Sequence, residues 1–357
     1  MRLFFKQHVF EVEEAKDYIQ VLSKSKEPYL LELSKLFEKW FDHELDFEVK
    51  TSGSTGRPKI IRLTKSNMRK SASLTISTFG LHSFNTLLLC LPLSSIAGIM
   101  MLVRSIVLNS DLVVSRPKAN PFNDLPKDID IDFTAITPYQ AKKSKEQLRV
   151  IPKIIIGGAP ISEHLEEGLL NAVDETKNEL FQTYGMTETI THIAVRKLNH
   201  HGDKAFKALE GISFSTDERS CLRIKAKHLG NSSFQTNDIV QVNIDNSFEY
   251  LGRYDEIINS GGVKINPQKV ENKLSSVINE RFFITAEEND DFGQIAILVV
   301  ESKKSKSYYE ELLNTNDFDP YHKPKKVYTL AEFKTSHTNK IDKIQTLKKL
   351  GVQIREN

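Results

Sequence analysis

Between residues 59 and 183 short apolar runs alternate with segments of helical periodicity, and nothing else in this chain restricts its fold as strongly. Strands are expected over 59–63, 86–91, 111–115, 131–136, 153–157 and 178–183, and helices over 65–79, 97–108, 139–148 and 162–175. That rhythm calls for an α/β layer with much parallel pairing. Upstream, residues 10–45 carry Leu30, Leu33, Leu36, Phe37, Trp40 and Phe41 at helical spacing, so one or two amphipathic helices are expected to cover the sheet. Beyond 190 the texture turns to hairpin-like pairs at 221–227, 239–244 and 247–251, a smaller β-rich, more antiparallel subdomain. It changes again after Gly252. A hairpin around Gly261-Gly262, a helix opened by Asn266 as cap with Pro267 in its first turn, a strand 294–300, a helix near 305–314 and a basic tail read as a separate α+β unit. The expected fold class is α/β, a large N-terminal domain over 1–253 with its β-rich subdomain, followed by a small α+β domain over 254–357.

Length and composition agree with this division. The 357 residues exceed the ~100–200 of an ordinary domain. Charged residues make up 27% and hydrophobic ones 39%, with 49 basic against 47 acidic side chains, so the charge of +2 gives no reason to expect nucleic acid as a partner. Cys90 and Cys221 lie far apart, in neither a zinc pattern nor a disulfide framework. The opening Met1-Arg-Leu-Phe-Phe-Lys6 is too short and too soon charged for a secretory signal, and a cytoplasmic location is expected. Residues 86–103 are uncharged and about as long as the ~18 residues of a spanning candidate. Pro92, Ser94 and Ser95 split them into a buried strand, a turn and a helix start, so no membrane span is expected.

Four separated segments carry chemistry. Thr51-Ser-Gly-Ser-Thr-Gly-Arg-Pro-Lys59 packs two glycines, four hydroxyls and a lysine into nine residues, a poor core segment and a good phosphate cradle. Glycine lets backbone N–H groups approach an anion, hydroxyls add donors and lysine a point charge. The spacing of Gly53 and Gly56 is not that of a Walker loop. Tyr184-Gly-Met-Thr-Glu188 follows a strand and offers one hard carboxylate, suited to magnesium that arrives on phosphates. Gly252-Arg-Tyr-Asp255 opens the C-terminal unit, and Lys340 stands in Lys334-Thr-Ser-His-Thr-Asn-Lys340-Ile-Asp-Lys343. Taken alone, each has a plainer reading: a Gly/Ser surface loop, a helix-capping Thr-Glu pair, a β-hairpin, a solvated lysine.

Together and in this order they resemble the adenylate-forming enzymes, the acyl-CoA synthetases, peptide-synthetase adenylation domains and luciferases, over about residues 48 to 345. The loop matches the family's Ser/Thr-Ser-Gly-Ser/Thr-Thr-Gly-x-Pro-Lys without a gap. The resemblance implies that Thr51, Ser52, Gly53, Ser54, Thr55, Gly56 and Lys59 hold the phosphates of ATP. It puts Thr187 by the α-phosphate, Glu188 on Mg²⁺, and Lys340 between carboxylate and α-phosphate. Tyr184 and Gly185 belong to the nucleotide site. Gly157, Gly158 and Ala159, in Gly157-Gly-Ala-Pro160, either lie flat against adenine or form a tight strand-to-helix turn. Asp238, in Thr236-Asn-Asp238, would accept from ribose hydroxyls, with Asn237 in place of the family's glycine. Arg253 would contact ribose or phosphate, Asp255 would be the hinge of a mobile C-terminal lid, and Gly261 and Gly262 would line the CoA channel. Asn339 stands where glycine is usual.

Leu91-Pro-Leu-Ser-Ser-Ile-Ala-Gly98, Ala135-Ile-Thr-Pro-Tyr-Gln140 and Thr183-Tyr-Gly-Met-Thr-Glu-Thr-Ile-Thr-His192 are similar to the o-succinylbenzoate-CoA ligases of menaquinone biosynthesis, except that Ser95 replaces a histidine. The implied reaction joins a small carboxylic acid to CoA through an acyl-adenylate, using ATP and Mg²⁺, with a shortened N-terminal subdomain. Arg104, on an otherwise apolar segment, would pair the acid's second carboxylate or else snorkel to the surface, with Thr191 and His192 as further pocket residues. Other aryl or fatty acyl acids, a carrier-protein acceptor, and a silent nucleotide-binding regulator are the competing readings.

Overall fold

The structure, a computed structural model, describes residues 1–51, 59–230, 232–315, 319–335 and 341–352. Its spine is a 13-stranded sheet. Thr86–Leu89, Asp111–Val114, Phe133–Ile136, Lys153–Ile156 and Glu179–Gly185 pair in parallel, and Arg2–Phe5 extends the parallel run beyond Asp111–Val114. These strands are nearly continuous apolar runs because both faces are covered. Leu87 and Leu89 join the core that holds Leu33, Phe37 and Trp40 of helix Pro28–Phe41. Leu88 points the other way, into a second core with Ile154 and Ile156.

Local chemistry sets the helix ends. Thr64 caps Lys65–Phe79 by accepting from Asn67 N, and Gly80 closes it in the left-handed region. Ser95 caps Ile96–Leu108, which ends on left-handed Asn109. The uncharged stretch 86–103 is therefore core strand plus core helix, and no helix among the described residues is long and apolar enough to cross a membrane.

The antiparallel region continues the same sheet instead of standing apart. Glu179–Gly185 is parallel to Lys153–Ile156 on one side and antiparallel to His192–Lys197 on the other. From there Ala205–Ala208, Ser247–Arg253, Ser232–Val242, Cys221–Ala226 and Ile212–Thr216 follow in spatial order. A second sheet starts at Ile258, after the single helical turn Tyr254–Glu256. Its five strands carry one core beneath helices Pro267–Leu274 and Lys306–Thr315 and another beneath Lys343–Leu350. Asn266 caps Pro267–Leu274 as expected, accepting from Gln268 N.

Three expected elements differ in extent. The helix expected over 162–175 stops at Leu170, because Asp174 turns the chain onto Thr176 and Asn178 reaches the carbonyls of Arg149 and Ile151. The helix over 139–148 begins at Pro138 behind a Thr137/Gln140 capping box and breaks at Ser144. The basic tail contains the helix Lys343–Leu350, capped by Asp342 and ended by left-handed Gly351.

Candidate active site

Gly157, Gly158, Tyr184 and Gly185 stand at the carboxyl ends of parallel strands, where open α/β sheets bind ligands. Strand Lys153–Ile156 delivers Gly157 and Gly158, the latter at φ 89°. A Cβ on Gly157 would come within 2.3 Å of Thr183 Oγ1. Strand Glu179–Gly185 delivers Tyr184, and the 3-10 turn Thr187–Thr189 carries Glu188. Ile190 follows at φ 68°, ψ −55°, and Thr191 N donates to Thr189 O over 2.8 Å. This tight γ-turn is strained for a β-branched side chain, which is itself buried. It folds Thr191 and His192 back onto Gly185, where a Cβ would lie 2.3 Å from Thr191 O and 2.6 Å from His192 Cα. Gly185→Ala is therefore expected to lose about 1–3 kcal/mol of stability in denaturant titrations, as backbone would have to move. Unaltered stability would mean that this close approach is absent.

A second group assembles around Asp238. Tyr184 donates its hydroxyl hydrogen to Asp238 Oδ2, and Arg253 Nη1 donates to Asp238 Oδ1 at 3.2 Å. Arg253 also grips Asp255 with both prongs, at 2.9 and 2.7 Å, and Asn237 Nδ2 reaches Asp255 at 3.4 Å. Burial raises the Asp238 carboxyl above its ordinary range despite these partners. One guanidinium thus links the predicted ribose acceptor to the predicted hinge.

A cleft of about 1080 Å³ runs between the two sheets' units, lined by Gly158, Ala159, Tyr250 and Arg253 on one side and by Ile341 and Lys343 on the other. Lys340 and residues 52–56 lie outside the described residues. Their flanks are described. Thr51 pairs with Lys59 at the end of the two-stranded sheet Asp46–Thr51/Lys59–Thr64, and Thr335 bridges Ile341 across residues 336–340. Gly261 and Gly262 form the two-residue tip of a hairpin at φ 57° and 85°, backbone angles that suit glycine.

The three residues expected at the acyl group meet at the large sheet, with Arg104 and His192 buried and Thr191 half-buried. Arg104 is 1% exposed, donates from Nη2 to Thr191 Oγ1 at 3.0 Å, and touches Met101 Sδ at 3.4 Å. Its Nε is buried without a partner, and no carboxylate among the described residues pairs with it. Burial pulls the guanidinium down to about 9. Thr191 Oγ1 lies 3.3 Å from His192 Nδ1, and burial holds that imidazole well below its ordinary value, Arg104 adding to the effect. Arg104 therefore does not snorkel.

Sequence reasoning assigned no role to three contributors. Thr137 and Tyr139 line the cleft from a capping-box turn, and Thr75 holds the far side of His192. The signal for Thr75 was a hydroxyl on the buried Met68–Ser71–Ala72 face of helix Lys65–Phe79. No cluster of three metal-binding side chains occurs among the described residues, and the lone Glu188 fits a magnesium ion whose other oxygens come from phosphates and water.

A family model described as AMP-binding enzyme matches residues 50–214. A solved structure described as an acyl-CoA synthetase (AMP-forming)/AMP-acid ligase II-like protein from Dyadobacter fermentans is 32% identical, covering 93% of this chain and 97% of that one, with a TM-score of 0.60. The 2-succinylbenzoate–CoA ligase of Lactococcus lactis is 23% identical over 84% of this chain and 70% of its own length. The o-succinylbenzoate coenzyme A synthetase of Bacillus subtilis, solved with ATP and magnesium ion, shares the fold at a TM-score of 0.69, with 21% identity over 85% of this chain and 70% of that one.

Proposed function

We propose, from the premise that this chain belongs to the AMP-binding enzymes and is an AMP-forming acid–CoA ligase, that the acid it activates is the dicarboxylate o-succinylbenzoate. The observation that carries this reading is Arg104, a buried guanidinium with an unpartnered Nε and no carboxylate beside it among the described residues. An unpaired buried charge is costly, and an anion from the substrate would relieve it. The 2-succinylbenzoate–CoA ligases among the relatives agree with that charge requirement.

In the first step an oxygen of the succinyl carboxylate attacks the α-phosphorus of ATP in line, the bond to the β-phosphate breaks, and pyrophosphate leaves with the electron pair. In the second the CoA thiolate attacks the acyl carbon and AMP departs with the C–O electrons. Positioning and charge neutralisation supply the acceleration. Residues 51–59 would hold the β- and γ-phosphates. Thr187 would face the α-phosphate, Glu188 would hold magnesium, and Lys340 would bridge the attacking carboxylate and the α-phosphate. Magnesium, when bound, neutralises charge on the phosphate oxygens. Asp238 and Arg253 would take the ribose, Gly158, Ala159 and Tyr184 the adenine, while Arg104 and Thr191 fix the aromatic carboxylate. Residues 254–357 would turn about Asp255 between the steps, bringing Gly261 and Gly262 to the pantetheine arm.

Pyrophosphate release measured across o-succinylbenzoate, benzoates and fatty acids, with mass detection of the CoA product, tests the assignment. We expect o-succinylbenzoate to give the largest kcat/KM and its CoA thioester as product. Preference for a monocarboxylate would discard the dicarboxylate reading and leave the ligase class standing.

A further inference from the structure

Behind Arg104 runs a buried chain of hydrogen bonds whose directions are set atom by atom. Thr75, on helix Lys65–Phe79, donates its hydroxyl hydrogen to Ser71 O at 3.2 Å. Toward His192 Nε2, 3.4 Å away, it is left only as an acceptor. The imidazole therefore carries its hydrogen on Nε2. At the other end Arg104 has donors and nothing else, so Thr191 Oγ1 accepts from Nη2 and keeps its own hydrogen to give. His192 Nδ1 stands 3.3 Å from that oxygen.

The surroundings favour the neutral ring that this pattern requires. Phe79 meets the imidazole edge-on at 6.0 Å between centroids, Gly185 pairs with it across the strand, and Arg104 is the charged group acting on it. Burial and that cation both oppose a second proton. A protonated His192 would point a hydrogen at Thr191 from Nδ1, setting two donors against one hydroxyl and leaving that hydroxyl's hydrogen without an acceptor.

We propose that His192 is a positioning residue: by accepting the Thr191 hydrogen at Nδ1, it turns the threonine's lone pairs to Arg104 and aims the guanidinium at the acid's second carboxylate. This rests on the reading that Arg104 binds that carboxylate. Thr75 anchors the chain, and the backbone carbonyl of Ser71 terminates it.

Two substitutions separate the ring's nitrogens. His192→Gln keeps a donor near the place of Nε2 and loses the acceptor at Nδ1, whereas His192→Asn keeps an acceptor near Nδ1. We expect His192→Gln to raise the KM for o-succinylbenzoate about tenfold, with kcat and the KM for ATP little moved, and His192→Asn to restore most of that loss. Equal KM values in both, with only melting temperature altered, would overturn the proposal. ¹⁵N-histidine spectra of the wild-type enzyme give a readout that needs no variant to fold: His192 is expected with Nδ1 bare and Nε2 protonated between pH 6 and 8, and the opposite tautomer overturns the idea. Arg104→Met separates the two levels of inference. If it leaves the KM for o-succinylbenzoate unchanged, the substrate reading itself fails; if it raises that KM while Gln and Asn at 192 behave alike, only the role of His192 fails.

Discussion

Lys340→Ala is expected to reduce adenylate formation, read as pyrophosphate exchange with o-succinylbenzoate, by about 10²–10³-fold. ATP binding and the second half-reaction, started from preformed acyl-adenylate and CoA, should persist. The reason is charge placement: in-line displacement builds negative charge between the attacking carboxylate and the α-phosphate, and an ammonium there acts on the transition state more than on bound ATP. Lys340 has the right neighbours. Ile341 and Lys343 line the cleft that Gly158 and Arg253 also line, and the Thr335–Ile341 bridge holds the flanks of residues 336–340 together. Asp342 N donates to Lys334 O over 2.8 Å, which continues that closure. A variant that lost both half-reactions equally would point to damage of the C-terminal unit, and one that lost neither would remove Lys340 from the chemistry.

The parallel half of the fold is legible because its strands are apolar on both faces and its helices announce their ends. Thr64 and Ser95 cap where a side-chain acceptor precedes an apolar period, and Gly80 ends its helix in a conformation that suits it. Long-range pairing is less legible. Nothing local tells Ala205–Ala208 to pair with Ser247–Arg253 across some forty residues, or Arg2–Phe5 to lie beside Asp111–Val114. The latter choice is fixed by Arg2, whose backbone N and guanidinium both bind Asp111. Phe282–Asn289 hides its strand behind Glu287 and Glu288, the first of which is held by Lys326 and Tyr328 from across the intervening strand Gly293–Glu301.

The site divides along the same line. Glycines, the Thr-Glu pair and a charge in an apolar helix are rare enough in their settings to be noticed singly. Arg104 belongs to that class, since a cation on the Ile96–Leu108 helix must either escape or find a partner. Thr75 does not, because a threonine inside a helix is as often turned onto its own backbone, as its bond to Ser71 O partly is. Only the reversal at Ile190, which swings Thr191 and His192 against Gly185, brings it to the imidazole. A strained residue that serves the site is the kind of feature that propensity misses.

Arg104→Met is expected to separate binding from stability. Removing the cation that pairs a buried carboxylate should raise the KM for o-succinylbenzoate about 30–5,000-fold, the effect of losing one partner of a desolvated ion pair worth about 2–5 kcal/mol. The free protein should meanwhile become more stable, by about 1–4 kcal/mol, because methionine fills much of the same volume without an uncompensated charge. The pH dependence carries a definite sign. Burial lowers the guanidinium to about 9 from its ordinary 12.5, so the unfolded chain holds that proton more tightly than the folded one. The resulting destabilisation of the wild type is complete below pH 9 and fades as pH rises through that value, so the gap between variant and wild type should narrow in alkaline denaturant titrations. Saturating o-succinylbenzoate should close the same gap at neutral pH by stabilising only the wild type, through mass action on the folded state. If Arg104→Met instead lowers stability and leaves the KM where it was, the guanidinium is a packing element of the core, and the second carboxylate must be bound elsewhere or not required at all.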